Sequence, residues 1–106
     1  MLDQFLNNPD INKYLTRFEA GQTLFLEHDA SQELYILVSG KLNVLKGQKK
    51  ISEISEKGAL FGEMSLFLES RRTATVKAKT EVQAIVIPPD RVETFLRDCP
   101  EVVWEI

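Results

Sequence analysis

Phe61-Gly62-Glu63-Met64-Ser65-Leu66-Phe67-Leu68-Glu69-Ser70-Arg71-Arg72-Thr73-Ala74-Thr75-Val76 is the most informative stretch of this 106-residue chain. Gly62 opens a short helix, Glu63 follows at once, and Arg72 comes nine residues after that acid. Beyond it, Ala74, Val76 and Ala78 alternate with Thr75, Lys77 and Lys79, the period of two that marks a half-buried strand. The segment thus passes from a helix start into a sheet, with a fixed positive charge at the passage.

A helix start leaves backbone N–H groups without intrahelical partners, and the helix dipole is positive there. Both features suit a phosphate. Gly62 lets a ligand approach the backbone, and the N–H groups of Met64 and Ser65 are then placed to face it. Arg72 supplies the balancing charge through two donors held in a planar fork. Glu63 repels a phosphate, so its natural role is to accept a hydrogen bond from a sugar hydroxyl. These are the parts needed to hold a small phosphorylated sugar. The same Glu63 and Arg72 also suit a structural ion pair that closes a surface loop, and the residues alone leave that alternative open. Arg71 and Glu69 read as solvated flanks, and Leu66 as core.

Around this stretch the chain reads as short strands separated by turns. Leu15–Phe18, Thr23–Leu26, Glu33–Val38, Leu42–Leu45, Lys50–Ile54 and Val82–Ile87 are apolar or alternating, and glycine or polar clusters punctuate them. About eight strands with turns every 8–12 residues predict a sandwich or roll. Residues 1–13 predict a short amino-terminal helix with Leu2, Phe5 and Leu6 on one face, and Pro9-Asp10 restarts a helical turn. Pro88-Pro89 ends the sheet region; Asp90 is then expected to cap a helix, with Glu93 completing a capping box. Val92, Phe95, Leu96 and Cys99 form its apolar stripe, and Pro100 breaks it before Glu101–Ile106 starts another. The class is α+β, mainly β: one domain over 1–106, with an eight-stranded antiparallel β-roll at 14–87 and helices at 90–106, the last one truncated.

The length suits a single core, and 43% hydrophobic with 27% charged residues is ordinary for a globular protein. A net charge of −3 with 13 basic residues predicts no broad cationic face, hence no direct nucleic-acid binding by charge. The longest purely apolar run, Leu34–Val38, is far short of the roughly 20 residues a bilayer requires. Cys99 is the single cysteine, which excludes an internal disulfide and favours a reducing, cytoplasmic setting. A metal-dependent enzyme on a similar roll needs several histidines, whereas His28 is alone and lies in a polar turn. No catalysis is expected.

Four pieces of the chain carry a family resemblance: Phe18–Phe25, Leu34–Gly40, Gly58–Leu66 and Arg72–Ala78. Together they resemble the cyclic nucleotide-binding domain of regulated kinases, ion channels and catabolite-activator-type regulators, over about residues 15–98. The resemblance implies a β-roll whose phosphate-binding cassette, residues 61–76, holds cAMP or cGMP as a ligand, with no cofactor. It implies Glu63 and Gly62 at the ribose, and Arg72, Met64 and Ser65 at the phosphate. Thr73 and Ala74 match the hydroxyl-bearing and small residues that follow the family's arginine. Threonine there accompanies guanine preference in some members and adenine in others, so the base stays open.

Members usually cap the base with a long helix after the second helix of the roll. Here Glu101–Ile106 has under two turns, so a short or missing lid is expected. Trp104 suits either stacking on a purine or packing on the roll. No output segment is recognisable after the roll, and signalling through the carboxy-terminal helices to an output domain or partner protein is the expectation. The alternative is a protein-interaction module that keeps the roll without binding nucleotide.

Overall fold

The apolar run Leu34–Val38 sits at the centre of the architecture because it is buried from both sides. The computed structural model describes residues 7, 9–62, 71–98 and 103–104. Its strands are β1 (Leu15–Phe18), β2 (Thr23–Phe25), β3 (Leu34–Ser39), β4 (Leu42–Lys46), β5 (Lys49–Ile54), β6 (Ala59–Phe61), β7 (Thr75–Ala78), β8 (Val82–Ile87) and β9 (Val103–Trp104). They form two sheets, ordered β1-β8-β3-β6-β9 and β2-β7-β4-β5. The first eight strands pair antiparallel throughout, which is the expected roll.

In β3, Tyr35 and Leu37 point into the core between the sheets, against Phe18, Val44, Phe61 and Val76. Leu34, Ile36 and Val38 point the other way, into a second cluster with Ile11, Val92 and Phe95. That second layer is roofed by α1 (Pro9–Asn12) and α2 (Val92–Asp98). A strand covered on both faces needs no polar alternation, so its sequence reads as an unbroken apolar run. Each fully buried leucine or isoleucine there contributes about 1.5–3 kcal/mol. β7 shows the opposite case: Val76 and Ala78 are buried while Lys77 is exposed, the predicted period of two. It lies between β2 and β4, with Val76 opposite Val44 and Ala78 opposite Leu42.

Three local expectations are corrected. Asp90 does not cap the helix. A 3-10 turn at Pro89–Arg91 precedes α2, its N-cap is Pro88, and no side chain caps it. Proline has its φ preset for the first helical position and lacks an N–H that would go unpaired there, so Pro89 opens the turn ahead of Asp90. Second, β6 was not foreshadowed, because its three residues are all buried and show no alternation. Third, Val103–Trp104 is extended rather than helical. It pairs parallel with β6, Ala59 facing Val103 and Leu60 facing Trp104. The open edge of β6 offers ladder groups that need partners, and valine and tryptophan favour strands. The side chains of Leu96, Cys99 and Trp104 lie outside the described residues, as do residues 1–6 and 8 of the helix expected over 1–13, whose Pro9–Asn12 part is helical.

Candidate functional site

Arg72 is the one buried charged residue among those described, at 3% relative exposure. It precedes β7 and is tied to the β2–β3 loop through its backbone. Its N–H donates to Asp29 O at 2.8 Å, and His28 N–H donates to Arg72 O at 2.8 Å. The loop is itself folded tightly: Leu26 N–H donates to Asp29 Oδ2 at 3.0 Å, and Asp29 N–H returns to Leu26 O at 3.1 Å. That aspartate turn is a local choice of the sequence, since a short carboxylate three residues on captures the loop's own N–H.

The guanidinium lies over the Phe25 ring, 4.1 Å from its centroid, and 5.7 Å from that of Tyr35. Its Nη1 donates to Gly62 O at 2.7 Å, its Nη2 to Glu33 O at 2.9 Å, and its Nε to Ser31 Oγ at 3.2 Å. The Glu33 carboxylate stands 3.7 Å from Nη2. Carbonyl oxygens, a hydroxyl and two aromatic faces thus replace the water that a buried cation gives up. Tyr35 stacks on Phe61 with centroids 5.1 Å apart, which fixes one wall of the cage. Burial pushes the Tyr35 phenol up to about 12, against the opposing pull of Arg72 and with support from Glu33 and Asp29.

Gly62 is where β6 hands over to the cassette, and its φ is +84°. A Cβ there would come within 2.7 Å of Arg72 Nη1 and 3.2 Å of both Glu33 O and Tyr35 Cδ1. Glycine is therefore required twice, by backbone conformation and by the guanidinium packed against it. Of the other expected site residues, Thr73 is exposed and Ala74 is half-buried against the inter-sheet core. Glu63, Met64 and Ser65 lie outside the described residues, as does Glu69. Arg71 is an exposed flank whose Nη1 donates to His28 O at 3.1 Å. His28 is exposed in its polar turn, and among the described residues no group of three or more His, Cys, Asp or Glu could hold a metal.

Sequence reasoning missed the residues that surround Arg72: Phe25, Ser31, Glu33 and Tyr35. They lie 37 to 47 positions upstream of it, and no short-range pattern links them to it. A signal existed only at Ser31 and Glu33, polar residues within three positions of the buried run that opens β3.

The sequence model described as "Cyclic nucleotide-binding domain" matches residues 15–99. A CRP-like cAMP-activated global transcriptional regulator of Mycobacterium tuberculosis is 32% identical over 89 residues, covering 80% of this chain. The chain spans only 40% of that regulator's length. Among solved structures, PKAR CBD2 with Sp-2Cl-cAMPS bound superposes with a TM-score of 0.74 at 23% identity, over 88% of this chain and 64% of that one. The cAMP-bound PfPKA-R gives 0.72 at 26% identity, over 77% and 29%. The roll, the loop-anchored arginine at the cassette's end and a match running through nearly all strands agree, and the chain belongs to the cyclic nucleotide-binding domain family.

Proposed function

We propose that the chain is a non-catalytic sensor module that binds cAMP or cGMP in the cassette at 61–76 and signals through its carboxy-terminal segment. The observation that supports it most is Arg72, a buried cation fixed at the end of the cassette by the β2–β3 loop. In this reading Arg72, with Thr73 and Ala74 beside it, faces the phosphate together with the N–H groups of Met64 and Ser65. Glu63 and Gly62 face the ribose. The Arg72 side chain is 1% exposed, so a phosphate reaches it only when the packing over its outer edge yields. Binding is thereby coupled to a rearrangement, and the ligand biases it only by its difference in affinity between the two arrangements. α2 packs on the second cluster through Val92 and Phe95 and is the element proposed to carry the change onward. Its recipient is an output domain or partner protein. Among the described residues no helix is long and apolar enough to cross a membrane, and the single cysteine supports work in the cytoplasm.

A second reading has an observation of its own. Arg72 is held by Ser31, Gly62 and Glu33, as a structural pin would be in a roll that binds a protein partner and no nucleotide. Thermal melting separates the two. A nucleotide at 100 times its dissociation constant adds about 2.7 kcal/mol of stability, a rise of several degrees in a domain of this size. Sensor function requires that rise with cAMP or cGMP. Absence of any rise with either selects the interaction module.

A further inference from the structure

A carboxylate beside a buried cation lowers the cost of burying it. Glu33 places one beside Arg72 in an unusual way. The bond at Nη2 goes to the backbone carbonyl of Glu33, at 2.9 Å. The carboxylate Oε1 stays 3.7 Å from the same Nη2, beyond hydrogen-bond distance. That oxygen is buried and has no hydrogen-bond partner among the described residues. The Glu33 carboxylate thus acts on Arg72 through charge and not through a hydrogen bond, and one of its oxygens is a desolvated acceptor with no donor. The Glu33 side chain as a whole is 39% exposed, so the carboxylate can turn to water.

We infer that Glu33 is an internal competitor for the ligand's phosphate, and that it holds nucleotide affinity below what Arg72 would otherwise give. The inference rests on the cyclic nucleotide reading above. A phosphodiester and a carboxylate at one guanidinium repel each other, so the ligand either displaces Glu33 or binds against its charge. Glu33→Gln keeps the size and removes the charge. It has two effects of opposite sign: the protein without added nucleotide loses stability, and its affinity for nucleotide rises. A purely structural glutamate would lower both together.

The test is calorimetric titration of the full chain with cAMP and with cGMP, plus melting without nucleotide, for wild type, Glu33→Gln and Glu33→Asp. Expected is binding by wild type, at least about threefold tighter binding by Glu33→Gln, and a lower melting temperature for that variant alone. Glu33→Asp keeps the charge and stays close to wild type in affinity. If wild type binds but Glu33→Gln binds equally or more weakly, the competitor role is overturned while the sensor reading stands. Weaker binding would make the carboxylate a ligand contact. If wild type binds neither nucleotide, the sensor reading falls and the competitor with it.

Discussion

Replacing Arg72 perturbs the fold and the proposed site together, and the structure separates the two effects. Arg72→Ala removes the hydrogen bonds to Gly62 O, Glu33 O and Ser31 Oγ and the cation 3.7 Å from the buried Glu33 oxygen. It also empties the space over Phe25. A buried acceptor whose lost bond is not replaced costs about 1–3 kcal/mol. The terms are not additive, and removing one member of a buried charged network costs about 3–5 kcal/mol in total. Against a whole stability of about 5–15 kcal/mol this is large. Arg72→Lys keeps the cation but cannot span three acceptors in one plane, so it should lose about 1–3 kcal/mol. Urea unfolding at neutral pH without nucleotide reads both losses. Calorimetry with cAMP and cGMP on the folded lysine variant then reads the ligand term, expected to be at least about tenfold in affinity. A loss below about 1 kcal/mol for Arg72→Ala would refute the cage as an energetic unit. Equal nucleotide affinity for Arg72→Lys and wild type would refute a fork on the phosphate.

Gly62→Ala forces a Cβ onto Arg72 Nη1 at a φ of +84°, so urea unfolding should show a loss of about 1–2 kcal/mol from backbone strain alone. Calorimetry should show nucleotide affinity falling at least as far as in Arg72→Lys, because the guanidinium is displaced. His28 holds a left-handed φ of 75° while its side chain is exposed. His28→Gly keeps the backbone bonds to Arg72 and relieves that strain, and should stabilise the chain by about 0.5–1 kcal/mol, read as a higher melting temperature. Glu53 accepts hydrogen bonds from Lys79 and Lys50, which hold its carboxyl down at about 2. A depressed folded pKa gives stability that is complete above the ordinary carboxylate value and is lost as pH falls from about 4.5 through about 2. Glu53→Gln should flatten melting temperature over that window, and added salt should shrink the difference, since the group is solvated.

How much could be read beforehand follows the range of each interaction. The alternation at Ala74–Ala78 and the unbroken run at Leu34–Val38 gave β7 and β3 correctly, because a strand's burial pattern is written in its own neighbours. Asp90 misled because the preset φ of Pro89, one residue earlier, outweighed the side-chain cap. Val103–Trp104 misled because its partner is β6, more than forty residues upstream, and a two-residue segment has no period of its own.

The amino-acid sequence by itself determined the roll, through turn residues and local hydrophobic periods, and it determined the spacing from Gly62 to Arg72. Only tertiary structure decided what Arg72 touches. Folding brings Phe25, Ser31, Glu33 and Tyr35 to its guanidinium. Local patterns act through backbone conformation over a few residues. The surroundings of a buried charge are set by which distant segments pack together, and that depends on the register of both sheets at once.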